Sequence, residues 1–179
     1  MQPGKIEHTD RVPHSLQLIV VMGVSGSGKS VVGQHLQQNF GCEFFDADDL
    51  HPPENVAKMA GGIPLNDADR EPWLKKICER AETALQKKQS IIIACSALKA
   101  RYRNVLRSVS QPVRFIFLEG SLEVIQARLA KRAGHYMPIG LLQSQFNDLE
   151  NPSGEPDVVV VNIEQDLAAM LEEVGKSFQ

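Results

Sequence analysis

Gly23-Val24-Ser25-Gly26-Ser27-Gly28-Lys29-Ser30 sets glycines, a lysine and a hydroxyl at the spacing G-x-x-x-x-G-K-[ST]. A glycine-rich loop lets successive backbone N–H groups turn inward, making a concave anion site at a helix N-terminus. Lys29 then reaches the β- and γ-phosphates of a nucleoside triphosphate, and the Ser30 hydroxyl ligates Mg²⁺. The motif carries this meaning only between a strand and a helix. Both are present. Leu18-Ile19-Val20-Val21-Met22 reads as a buried strand, and Val31, Val32, His35, Leu36 and Phe40 follow at helical spacing. With every fixed position filled and both flanks in place, triphosphate binding outweighs the reading of a glycine-rich turn.

Triphosphate binding alone names no reaction. Transfer to an alcohol needs a carboxylate near the hydroxyl and groups that hold the rest of the acceptor. Asp46 and Asp48 follow a short strand at 43–45, and parallel sheets gather ligands at the carboxyl ends of their strands. Residues i and i+2 of an extended segment point the same way, so one carboxylate can face Mg²⁺ and the other the acceptor. The same Asp-Ala-Asp-Asp run also suits a polar turn capping a helix. His51 lies three residues beyond Asp48, beside the expected acceptor site. Arg70 is placed in the first turn of a helix, where a cation opposes the dipole, which makes it a candidate anion binder.

Lys99, Arg103 and Arg107 share one face of a helix beginning where the Ile91-Ile92-Ile93 strand ends. Such a face is solvated, or it aims its early cations at an acceptor carboxylate or phosphate. Arg128 and Arg132 repeat the i, i+4 spacing before a Gly/Pro-interrupted segment, 133–139, the pattern of a hinged lid carrying phosphate-clamping arginines. The strand ending Ala94-Cys95-Ser96 offers no carboxylate, so metal binding rests on Ser30, Asp46, water and nucleotide oxygens.

The elements that must position these residues alternate apolar runs with helical patterns, which predicts an α/β fold on a five-stranded parallel sheet. Strands are expected at 18–22, 43–45, 90–94, 113–118 and 158–161. Helices are expected at 53–60, 67–88 with Pro72 in its first turn, 97–109 capped by Ser96, 121–132 and 140–149. A last helix carries Leu167, Leu171, Val174 and Phe178 on one face. Residues 17–179 read as a single domain with a lid at about 128–140, preceded by a flexible tail, 1–16. A chain of 179 residues with 42% apolar and 23% charged residues suits one ordinary domain. A formal charge of −3 gives no electrostatic case for nucleic acid, and no run approaches the ~20 apolar residues of a membrane span. Three scattered cysteines without metal or redox spacing point to a reducing compartment and a cytoplasmic protein. The guanine-reading Asn-Lys-x-Asp segment of a GTP switch is missing.

Several segments taken together resemble the small P-loop gluconokinases, relatives of shikimate and nucleoside monophosphate kinases. They are Met22 to Ser30, Asp46-Ala47-Asp48 with Leu50-His51-Pro52, and Pro64-Leu65-Asn66-Asp67 with Asp69-Arg70 and Pro72-Trp73-Leu74. Cys95-Ser96-Ala97-Leu98-Lys99 with Tyr102-Arg103, and Arg128 to His135, complete the set, running in order from about residue 18 to 162. The resemblance implies a P-loop NTPase three-layer sandwich, nucleoside monophosphate kinase-like with a mobile lid, and a homodimer. It implies ATP-dependent phosphorylation of D-gluconate at its 6-hydroxyl, with Mg²⁺. Carried onto this chain, it makes Lys29 and the loop amides the phosphate cradle, Ser30 and Asp46 the metal side, and Asp48 the base. His51, Arg70, Lys99 and Arg103 would hold the polyol and its carboxylate, with Arg128 and Arg132 closing over the phosphoryl group. The residues alone leave gluconate, shikimate and other hydroxy acids open, and a non-kinase nucleotide switch remains a rival of another class.

Overall fold

A computed structural model describes residues 15–131 and 139–178. Five strands, β1 (Leu18–Met22), β2 (Glu43–Asp46), β3 (Ile91–Ala94), β4 (Val113–Glu119) and β5 (Val158–Asn162), form one parallel sheet in the order β2-β3-β1-β4-β5. The described helices are α1 (Lys29–Phe40), α2 (Pro53–Ala60), α3 (Asp67–Gln86), α4 (Ala100–Leu106), α5 (Leu122–Ala130), α6 (Ile139–Asp148) and α7 (Leu167–Lys176).

β1 and β3 are apolar throughout, and β4 is so from Phe115 to Leu118, because both faces are covered, as parallel sheets require. Leu18, Val20 and Met22 pack with Trp73, Ile77 and Ala81 of α3 on one face. Ile19 and Val21 pack with Val32 and Leu36 of α1 and Val174 of α7 on the other. These are the three expected layers. α1 lies so close to β2 that a Cβ on Gly33 would sit 2.2 Å from the Phe44 ring. The strand order reverses at β1, whose neighbours are β3 and β4, and this opens a crevice at the carboxyl end of β1. The phosphate loop sits in that crevice. Gly26 and Gly28 take φ of +82° and +102°, left-handed conformations open to glycine at small cost, and so bend the loop onto the start of α1.

Three local expectations change. The helix expected from residue 97 begins at Ala100 with Lys99 as its N-cap; the Ser96 side chain does not cap it. Ala97 intervenes at φ +46°, which no helix tolerates. Asp46 to Asp48 is not one extended segment, because Ala47–Leu50 forms a 3₁₀ turn whose Asp48 N–H donates to Asp46 Oδ1 at 3.0 Å. Pro72 is the sixth residue of α3, beyond the four unpaired N–H groups of a helix start, so the helix gives up one ladder bond there. α3 recovers at its N-terminus through a reciprocal capping box between Asn66 and Asp69. Most of the expected tail, 1–14, and lid residues 132–138 with Arg132 lie outside the described residues.

Candidate functional site

At the carboxyl end of β1 and β3 a cleft of about 420 Å³ is lined by Ser25 and Lys29 on one side and by Asp48, His51 and Arg70 on the other. Phosphate loop and acceptor candidates therefore share one cavity.

On the phosphate side, Ser30 Oγ donates to Asp46 Oδ2 at 2.9 Å, while the other oxygen of Asp46 accepts from the Asp48 amide. One carboxylate thus ties the helix that carries the loop to the turn that carries Asp48. A hydroxyl and a carboxylate side by side are hard oxygen donors, suited to a divalent cation that completes its shell with water and phosphate. Among the described residues no group of three or more His, Cys, Asp or Glu forms a cage of protein ligands alone. Lys29 Nζ donates to the Val24 carbonyl at 3.0 Å, folded along the loop it belongs to. Ser25 N–H is taken by a side chain from elsewhere, Gln145 Oε1 of α6, at 2.7 Å.

On the acceptor side the side chain of Asp48 is 70% exposed and opens into the cleft. The surrounding walls still strip water from its carboxyl and push it above the usual carboxylate range; Lys29 opposes this, and Asp46 and Asp49 add to it. His51 is only 4% exposed, stacked on Trp73 with ring centroids 4.3 Å apart and planes at 11°. Trp73 is in turn fixed by donating from Nε1 to the Ala47 carbonyl at 2.6 Å.

The tautomer of His51 follows from its neighbour. Asn55 Nδ2 donates to the Asp69 carbonyl at 2.8 Å, which fixes the amide's orientation, and the same nitrogen meets His51 Nδ1 at 3.3 Å. Nδ1 therefore accepts, and the ring proton sits on Nε2, which faces Asp48 Oδ1 at 3.8 Å. Burial, aided by Arg70, holds His51 down to about 4, so it is neutral at pH 7. Arg70 lines the cleft and donates from Nη1 to Asp148 Oδ2 and to the Tyr102 hydroxyl, each at 3.0 Å. Its charge, misplaced for the dipole of α3, is balanced by Asp148 at the end of α6.

The remaining cations lie elsewhere. Arg103 is 1% exposed with every nitrogen engaged: Nε on Glu155 at 2.9 Å, Nη1 on the Ala97 and Leu98 carbonyls at 3.0 Å each, and Nη2 on the Glu150 carbonyl at 3.1 Å. It clamps the left-handed turn at Ala97 and has no donor left for an acceptor carboxylate. The expectation for Arg103 is corrected accordingly. Lys99 pairs with Asp67 at 3.0 Å and Asp148 at 3.5 Å, outside the lining of the cleft, so it supports the wall behind Arg70. Arg107, on the same helix face, is bound by Asp157 and Glu155. Arg128 donates to the Ser27 carbonyl at 3.5 Å and to the Ile163 carbonyl, which puts it against the phosphate loop, away from the acceptor. Cys95, where a carboxylate was sought, is a buried thiol pushed up to about 12 and inert at neutral pH.

Trp73 was named only within a resembling segment, and no site role was given to Asn55, Tyr102, Gln145 or Asp148. Asn55 stands four residues after His51, a signal available in the sequence. The others act across 32 to 120 positions, for which a single sequence gives no signal.

Residues 18–151 match the family described as an AAA domain. The chain is 44% identical over 155 residues to the thermosensitive gluconokinase of Escherichia coli K12, covering 86% of this chain and 83% of that one. A solved structure of a gluconokinase from Sinorhizobium meliloti 1021 superposes with a TM-score of 0.84 at 46% identity, over 94% of this chain and 93% of that one. Shikimate kinase from Aquifex aeolicus shares the fold at a TM-score of 0.57 and 18% identity, over 89% of this chain and 94% of that one.

Proposed function

This chain belongs to the gluconokinase family, and from that premise we propose that it transfers the γ-phosphoryl group of ATP to the 6-hydroxyl of D-gluconate, giving 6-phospho-D-gluconate and ADP. The observation that carries the reading is the shared cleft, where Lys29 and Ser25 of the phosphate loop face Asp48, His51 and Arg70.

Asp48 accepts the hydroxyl proton as the acceptor oxygen bonds to the γ-phosphorus. The bond from that phosphorus to the β,γ-bridging oxygen breaks, and ADP leaves with its electron pair. His51 Nε2–H is a donor for a polyol hydroxyl, and its neutrality keeps it a donor without adding a charge. Arg70 is the cation of the acceptor side and pairs with the gluconate carboxylate through donors other than Nη1. Lys29 and the loop amides that Gln145 does not take hold the phosphates, with Arg128 behind the loop. A divalent metal accompanies ATP in this family; Mg²⁺ suits Ser30 and Asp46, and when bound it neutralises phosphate charge. Family resemblance also supports a cytoplasmic homodimer, which sedimentation and cell fractionation test.

The rival substrate is another small hydroxy acid. An ADP-coupled assay across gluconate, other sugar acids and shikimate tests the choice. Turnover restricted to gluconate is expected. Turnover on another acid with none on gluconate would overturn the substrate, and slow acceptor-independent hydrolysis alone would favour a nucleotide switch.

A further inference from the structure

Among the described residues, Gln145 is the one side chain from outside the phosphate loop that takes one of its amides. Its Oε1 accepts from Ser25 N–H at 2.7 Å, and because a backbone N–H can only donate, the oxygen of the amide must be the atom facing the loop. Both hydrogens of Nε2 are then directed elsewhere, and they meet no acceptor among the described residues. Gln145 and Ser25 both line the cleft together with Asp48 and Lys29. Of the loop, only Ser25 and Lys29 reach that lining, so Ser25 marks the junction of phosphate cradle and acceptor space. In a direct transfer the γ-phosphoryl group must cross this junction. Gln145 is also held from below, since Asp148, three residues on along α6, is anchored by Arg70 and Lys99.

We propose that Gln145 is a further positioning and binding residue for the reaction: Ser25 N–H fixes its amide, and Nε2 donates to an oxygen of the transferring γ-phosphoryl group. This rests on the kinase reading, but only on its nucleotide half. The contact forms no covalent bond and moves no proton. It adds neutral donors beside Lys29 where charge redistributes during transfer. It also distinguishes ATP from ADP, because ADP brings no phosphoryl group to the junction.

The test compares ATP and ADP binding by calorimetry, without acceptor, in the wild type, Gln145→Leu and Gln145→Glu. Steady-state kinetics with gluconate accompany it. Gln145→Leu removes the donors at similar volume, and about a 10-fold loss of ATP affinity with ADP affinity unchanged is expected, the worth of one hydrogen bond to a charged group. Its kcat should fall by a similar factor or more while the KM for gluconate stays within about twofold. Gln145→Glu places an anion against the phosphates and should lose more of both. Gln143→Ala, an exposed change on the same helix, is the control and should behave as wild type. Equal losses for ATP and ADP would reduce Gln145 to a scaffold for the loop. Tighter nucleotide binding in Gln145→Leu would make it a plug that competes with phosphate. Either result overturns the proposal, as does an unchanged ATP affinity and kcat. Thermal melts check that each variant folds. Failure of the gluconate reading would leave the ATP-against-ADP comparison intact, so the two failures are distinguishable.

Discussion

At the scale of single residues, the site works by controlling which groups carry charge. Asp48 is the acid-base group with an open path to the cleft, and its oxygens are not spent on a cap or an ion pair as those of Asp46 and Asp148 are. Asp48→Asn keeps the shape and removes the base. It should lower kcat by about 10²–10⁴-fold while ATP binding, read by calorimetry, changes little. Equal losses in both would make the carboxylate a metal or structural group. His51 is held neutral by its seat between Trp73 and Asn55, and that has a consequence for stability. Its folded value of about 4 lies below the ordinary 6.5, so between these pH values the unfolded chain binds more protons than the folded one. The stability this supplies is fully present above pH 6.5 and is lost as pH falls towards 4. His51→Phe retains an aromatic ring against Trp73 but cannot titrate. Urea unfolding across this range should show a shallower pH slope in the variant, and an identical slope would show that His51 does not titrate as its surroundings dictate.

Elements decide what the cations do. The run Lys99, Arg103, Arg107 was legible as one helix face, yet nothing local tells whether a face meets solvent, substrate or protein. The answer lies in the loop at 150–157, which supplies Glu155, Asp157 and the Glu150 carbonyl to this face. Arg103 spends its guanidinium holding the Ala97 turn, where a left-handed alanine costs about 1–2 kcal/mol. That turn sets Ser96 and Leu98 into the cleft wall. Arg103→Ala takes the donor from the Ala97, Leu98 and Glu150 carbonyls and leaves Glu155 to Arg107 alone, and should cost about 3–5 kcal/mol, seen as a lower melting temperature. The KM for gluconate of the folded fraction should be nearly unchanged. A raised KM at unchanged stability would return Arg103 to the acceptor site.

For the whole molecule, the sheet order is the device that makes a site. Reversal at β1 brings the phosphate loop, the end of β2 and the end of β3 to one edge, and α6 bridges them by touching Ser25 with Gln145 and Arg70 with Asp148. Ligands that bind only this assembled edge stabilise the whole cooperative domain. At about 100 times its dissociation constant, ATP with Mg²⁺ adds about 2.7 kcal/mol, or a rise of about 5–10 °C in melting temperature for a domain of this size. A chelator should shrink the rise, and Lys29→Ala should nearly abolish it. No shift with ATP in the wild type would deny nucleotide binding at this loop.

Strands, most helices and the phosphate loop were determined by the sequence itself, because they depend on short-range facts. Those facts are apolar runs that need burial on both faces, glycines able to adopt positive φ, and a lysine and a serine at the first turn of α1. The same local logic placed Asp46, Asp48 and His51 at the end of β2, and it misjudged only the turn between them. Tertiary structure alone decided which charges remain available. Arg70 and Arg103 are both buried arginines 33 positions apart, yet one lines the cleft and the other is consumed by carbonyls and Glu155. The cost of burying a charge depends on partners that the chain brings back from 52 and 78 residues away.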